Sequence, residues 1–136
     1  MNKLAWDRAV LNFPKYFEDP LQFMRANGGI TKYSYRDRGI GQLSFAATEH
    51  IIVRMGCRYF VTMTIAPEIM YIVEKQGFIC VSEVSYTEAG QDFSLTPEEF
   101  EAKKHLFKGF KNGNPVIRLY VKDLTPLLKE AGINKL

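Results

Sequence analysis

From residue 42 onward the apolar positions change period repeatedly, and each change marks a boundary between elements. Leu43, Ala46, Ala47, Ile51 and Met55 recur at three- and four-residue spacing, which predicts a helix over residues 42–55 closed by Gly56. Residues 57–65, CRYFVTMTI, are β-branched and aromatic and read as a strand buried on both faces. Pro67 at a first helical position, with Glu68 beside it, opens a helix through residue 76, and Gly77 ends it. Residues 78–86 return to strand character, with Phe78, Cys80, Ser82, Val84 and Tyr86 facing one way. A turn at residues 90–92 follows. Thr96 and Glu99 then form a capping box around Pro97 for a helix to about residue 107. Residues 113–115 make a turn and 116–121 a strand, and Thr125-Pro126 starts a last helix that Gly132 terminates.

The first 30 residues carry a weaker pattern. Leu4, Trp6, Val10, Leu11, Phe13, Tyr16 and Phe17 give a rough apolar face that Pro14 and Pro20 interrupt, so a short helix, a break and a second short helix near residues 21–26 are expected. Residues 30–35, β-branched and aromatic, read as a strand leading into a glycine-rich loop. Strands alternating with helices predict an α/β (α+β) domain: a mixed, largely central-parallel sheet with helices on both faces. Residues 1–29 form a helical lead-in, 30–124 the core and 125–136 a C-terminal helix.

Composition narrows the picture. At 136 residues and 46% apolar, the chain suits one compact domain with a core that needs no staples. A formal charge of +3 with scattered lysines and no long basic run argues against a nucleic-acid surface. No stretch approaches a membrane span, and no secretory leader is evident, so a soluble cytoplasmic protein is expected. Cys57 and Cys80 both lie in apolar runs and read as reduced core residues. No pair of His, Cys, Asp or Glu has metal-ligand spacing, so no metal is expected.

The segment with the most chemistry is Arg36-Asp37-Arg38-Gly39-Ile40-Gly41, directly before the helix at 42–55. Glycines at 39 and 41 let the backbone approach a ligand closely, and the first N–H groups of the following helix point at an anion that the helix dipole favours. Arg36 and Arg38 add charge and forked donors. Such a loop can hold a diphosphate.

The spacing Arg-x-x-Gly-x-Gly resembles the pyrophosphate loop of the GCN5-related N-acetyltransferases. The segment Val73-Glu74-Lys75-Gln76-Gly77-Phe78 is similar to that family's "YEKLGF" stretch, in which a helix ends on glycine and an aromatic residue starts the next strand. The order of elements over residues 30–124 also resembles the family's, with a final strand antiparallel to the one before it. Ser82-Glu83-Val84-Ser85-Tyr86 and the late strand from Val116 resemble the arylalkylamine N-acetyltransferase-like branch. The resemblance implies acetyl-CoA as cofactor. Main-chain N–H groups of Arg38, Gly39, Ile40, Gly41 and Gln42 would hold the diphosphate, with Arg36 contributing charge, and the strand at Thr31 would pair with the pantetheine arm. It further implies an N-acetyltransferase acting on a small amine or an amino terminus.

The catalytic residues stay unassigned. The positions at which the family carries its acid, a tyrosine or a serine, hold Val73 and Ile69 here. Tyr71 is two residues from Val73, about 200° around a helix, and so points elsewhere. Glu68 and Glu74 read as helix-start and surface charges, and His50 and His105 have no evident partner. Only about 35 residues precede the loop, so the fold is expected to be N-terminally shortened relative to the family. Three remedies for the exposed flank are open: cover by residues 4–26 with Trp6, Phe13, Phe17 and Phe23, cover by a second copy in a homodimer, or poor folding. The alternative function is a catalytically inactive acyl-CoA-binding or protein-interaction module.

Overall fold

Strands that alternate between two apolar layers, and helices that each bury one narrow face, account for the architecture. The computed structural model describes residues 3–26, 40–65, 67–85, 88, 98 and 116–132, with residues 40–44 as backbone only. The expected strand at 30–35, the loop at 36–39, the turns at 90–92 and 113–115, and His105 lie outside the described residues. So does the helix at 96–107, apart from helical Glu98.

Helix α1 (Lys3–Asn12) buries Ala5 and Ala9, one turn apart, so its backbone lies close against the sheet. It stops before Pro14, which starts a single 3₁₀ turn, Pro14–Tyr16. The second helix expected near residues 21–26 is instead strand β1 (Phe23–Arg25). Two local causes are visible. Asp19 turns the chain, its carboxylate accepting the N–H of Leu21 at 2.9 Å and its carbonyl that of Gln22 at 3.0 Å. Phe23 and Met24 then pack into opposite layers, a period-two demand that a helix does not meet.

Helix α2 (Ile40–Arg54) follows, then β2 (Tyr59–Thr64), α3 (Pro67–Lys75), β3 (Ile79–Ser85), β4 (Val116–Asp123) and α4 (Thr125–Glu130). Gly56, at φ +78, closes α2 by sending its N–H to Val53 at 2.9 Å, while Cys57 reaches Ile52 at 3.3 Å. Gly77, at φ +92, does the same for α3, its N–H reaching Glu74 at 3.2 Å and that of Phe78 reaching Val73 at 3.0 Å. The glycine stops read from the sequence therefore hold at these two helices.

The sheet runs β1-β2-β4-β3. β1 and β2 are parallel, Arg25 opposite Val61, whereas β4 is antiparallel to both β2 and β3. The mixed sheet and its two helical faces are as expected; the parallel pairing expected in mid-sheet is found at β1–β2, because β4 enters between β2 and β3. Its apolar residues explain the choice: Ile117, Leu119 and Val121 are buried on one face and Tyr120 on the other, the pattern of a strand covered on both sides.

One layer, between the sheet and α2, α3 and α4, contains Phe45, Ile52, Phe60, Val73, Phe78, Tyr120 and Leu128. The rings of Phe45 and Phe78 sit 6.1 and 5.0 Å from that of Phe60. This cluster fixes the rotation of α2, and it corrects the expected stripe: Ala46, Ala47, Ile51 and Met55 face outward, while Phe45, Ile52 and Val53 face in. Glu49 lies on the inward side, where its carboxylate accepts from Lys122 of β4 at 2.8 Å beneath the Phe78 ring. The opposite layer joins Ala9, Tyr16, Tyr59, Val61, Val81, Leu119 and Val121. Trp6, Phe17 and Phe23 extend it with ring separations of 4.9 to 5.7 Å, so the N-terminal aromatics do fold onto the sheet, with Phe13 at their margin and 37% exposed.

A bulge in β3 between Cys80 and Ser82 shifts the register against β4. The single face expected for Phe78, Cys80, Ser82 and Val84 is therefore divided. Cys80 is exposed, contrary to expectation, Cys57 is buried, and both are free thiols. Past the end of β3, Glu88 accepts the guanidinium of Arg8 on α1 at 2.9 and 3.2 Å, and the Ser85 N–H at 3.1 Å.

Candidate functional site at the start of α2

Helix α2 begins at Ile40, so Ile40, Gly41 and Gln42 form its first turn and their N–H groups have no acceptor within the helix. Gly41 is helical and does not share the positive φ of Gly56, Gly77 and Gly132. A left-handed turn is thus not the reason for glycine at that position. Thr31, Arg36, Arg38 and Gly39 lie outside the described residues. The preceding described strand, β1, pairs in parallel with β2.

Along β2 the face beneath α2 and α3 changes from apolar to polar. Phe60 is in the core, and Thr62 comes next on that side. Thr62 pairs with Tyr120 across β4, and Tyr120 pairs with Cys80 across β3, forming one row. In the following row Arg118 stands between Thr64 and Glu83. Thr62 is 1% exposed, and its hydroxyl has no hydrogen-bond partner.

Tyr120 is the hub of a charged cluster that sequence reading missed. Its hydroxyl donates to Glu74 of α3 at 2.7 Å, and the guanidinium of Arg118 reaches Glu74 at 3.4 Å and Glu83 at 2.8 Å. Burial, and then the bond to Glu74, push the Tyr120 phenol up to about 12, against the opposing pull of Arg118. Bonds to Tyr120 and Glu83 raise the Arg118 guanidinium further above its ordinary value. Glu74 is thereby more than a surface charge. The alternation of Arg118 and Tyr120 in β4 was a signal of a shared polar face, but their partner on α3 was not.

No proton donor stands where the resemblance would put one. Val73 is fully buried in the apolar layer and Ile69 is packed against it. Tyr71 is 63% exposed, beneath the ammonium of Lys75, so it points away from Val73 as its helical offset requires. Although Cys80 is exposed as a residue, partial desolvation of its thiol raises it above its ordinary value and so disfavours the thiolate. A groove of about 320 Å³ between α2 and α4, lined by His50, Arg54, Leu127 and Glu130, lies at the other end of α2 from Gly41. Among the described residues no group of His, Cys, Asp or Glu could hold a metal ion, and no helix is long and apolar enough to cross a membrane.

The fold is that of the GCN5-related N-acetyltransferases. Arylalkylamine N-acetyltransferase 2 from Aedes aegypti superposes with a TM-score of 0.60 at 18% identity, over 90% of this chain and 52% of that one. A mosquito protein, arylalkylamine N-acetyltransferase like 5b, does so with a TM-score of 0.53 at 18% identity, over 74% of this chain and 42% of its own. The chain thus spans about half the length of these solved structures. No family model matches the sequence, and no curated protein matches it.

Proposed function

We propose that this chain binds acetyl-CoA at the first turn of α2 and the loop before it, and transfers the acetyl group to a small amine or an amino terminus. The observation that carries this reading is the start of α2 itself: three main-chain N–H groups without helical acceptors, following a parallel strand in an acetyltransferase fold. The cofactor fits there on chemical grounds. A diphosphate needs converging N–H donors and little steric bulk, and helical Gly41 leaves the space that a Cβ would take. Ile40, Gly41 and Gln42 would donate to the diphosphate together with the N–H groups of Arg38 and Gly39. Arg36 and Arg38 would add charge, and main chain at Thr31 would bond the pantetheine amides.

When bound, acetyl-CoA supplies a thioester carbonyl that an uncharged amine can attack. The chain's part would be to align that carbonyl and exclude bulk water. Wild-type protein is expected to bind acetyl-CoA in isothermal titration calorimetry, and Gly41→Trp to abolish the signal while keeping the wild-type melting temperature. Unchanged binding by Gly41→Trp would end this assignment.

One observation favours a second reading, an acyl-CoA-binding module without transferase activity: Val73 and Ile69 are packed apolar residues that can neither give nor take a proton. It predicts acetyl-CoA binding with no acetylation of any member of a mixed amine panel, whereas turnover of even one amine excludes it.

A further inference from the structure

Helix α2 docks on the sheet through two side chains one turn apart, and they differ in kind. Phe45 lays its ring on Phe60 of β2, with centroids 6.1 Å apart, and Glu49 accepts from Lys122 of β4 at 2.8 Å. Phe60 and Lys122 are themselves opposite each other in the β2–β4 ladder, so the sheet offers an apolar and a charged seat side by side. The charged seat lies well inside the protein. The Glu49 and Lys122 side chains are 17% and 21% exposed, against 33–50% for the partners of the Arg118–Glu83 and Arg8–Glu88 pairs. Such a pair gives little net stability, because withdrawing two charges from water offsets most of their attraction, and apolar residues of similar volume serve as well. What it adds is register. Apolar packing has no direction, so Phe45, Ile52 and Val53 alone would let α2 slide along its axis and find new contacts. A slide of one turn, about 5.4 Å, would carry Glu49 to the ring of Phe60 and Val53 to Lys122, or in the other direction Phe45 to Lys122. Either move leaves a charge inside the layer without its partner.

From this we infer that the Glu49–Lys122 pair is a register lock: it fixes where along the sheet the first turn of α2 stands, and so holds the N–H groups of that turn in place for the diphosphate. The inference rests on the acetyl-CoA reading above and adds two positioning residues to it. Glu49 lies roughly 12 Å along the helix from Gly41 and touches no part of a diphosphate held there. It acts through the helix, which moves as a rod. The displacement that the lock prevents falls on the diphosphate end, so the lock serves any ligand with a diphosphate, whether or not a pantetheine arm is attached.

The test compares wild type with three variants by calorimetry with acetyl-CoA and with ADP, alongside melting of the free proteins. The first is the apolar double variant Glu49→Leu/Lys122→Met. The second, Lys122→Arg, keeps the pair, and the third, Glu88→Gln, loosens α1 from the end of β3 and leaves α2 untouched. The double variant should melt no lower than wild type. It should bind acetyl-CoA about five- to tenfold more weakly, since a helix shared between registers is competent for only a fraction of the time, and ADP more weakly by the same factor. Lys122→Arg and Glu88→Gln should keep the wild-type affinity for both ligands. Equal acetyl-CoA affinity for wild type and the double variant would overturn the inference. So would a loss confined to acetyl-CoA, which would put the effect at the acyl arm, or a clear drop in the melting temperature of the double variant, which would make the pair a support of the fold. A wild type that binds neither ligand would overturn the cofactor reading along with it, and that failure is told apart because it is seen before any variant is compared.

Discussion

Replacing Tyr120 by phenylalanine removes one oxygen from a ring that is otherwise fully buried, and the surroundings of that oxygen set the consequences. The hydroxyl donates to the Glu74 carboxylate at 2.7 Å, with the Arg118 guanidinium 3.5 Å away. A hydrogen bond to a charged group contributes about 1.5–3 kcal/mol. Here Glu74 is 52% exposed, so water replaces part of what is lost, and about 1.5 kcal/mol is the reasonable figure near pH 7. The pH dependence sharpens the test. Folding raises the phenol from 10.0 to about 12, so the folded state holds this proton more tightly than the unfolded chain. The stabilisation is whole below pH 10 and is lost as pH climbs toward 12, by at most about 1.4 kcal/mol per unit. The advantage of wild type over Tyr120→Phe should therefore fall to zero near pH 11, roughly one unit above the unfolded phenol's value. Urea unfolding of both proteins from pH 7 to pH 11.5 measures the difference directly, with the lysine titrations common to both. A difference that is already zero at pH 7, or constant through pH 11, would show that the hydroxyl is not held by Glu74 in a buried bond.

Phe60→Ala should cost about 3–5 kcal/mol in urea unfolding, since Phe60 is 1% exposed, stacks on Phe45 and meets Phe78 edge to face; a loss under 1 kcal/mol would contradict the packing. Glu88 is held at about 2, first by the Arg8 guanidinium and then by the Ser85 N–H. Its folded value is depressed, so its contribution is present above pH 4.5 and disappears as pH falls toward 2. Acid unfolding of Glu88→Gln should accordingly be less steep than wild type across that window, and identical steepness would refute the hold of Arg8 and Ser85 on Glu88.

The elements that could be read from the sequence were those whose signals are local. Proline at the start and glycine at the end bracket α3, and Gly56 closes α2, because these residues act through the backbone of their own turn. β2 and β4 were visible from β-branched and aromatic composition. Three features depend on partners far along the chain and were misread or missed. Phe23 and Met24 read as helical in the sequence because only pairing with Tyr59 and Phe60 of β2 gives their alternation meaning. The outward turn of Ile51 and Met55 follows from Phe45 finding Phe60 and Phe78, which no period in α2 discloses. The Tyr120–Glu74 bond likewise joins residues that only the insertion of β4 beside β3, the strand after α3, brings together. At the candidate site, the chemistry of Gly41 was legible because a helix start is a local feature. The orphaned hydroxyl of Thr62 was not, since want of a partner is a property of the finished packing.

The position of β4 bears on how the molecule is made. Because β4, the last of the described strands in sequence, lies between β2 and β3 in space, the described β1–β2 pair and β3 are joined only through it. A nascent polypeptide emerging from the ribosome would therefore expose the inner edges of two incomplete half-sheets until residues 116–123 are synthesised, with the aggregation risk that bare strand edges carry. Long-range closure of this kind also slows folding. Residues 116–123 thus govern when the described sheet closes.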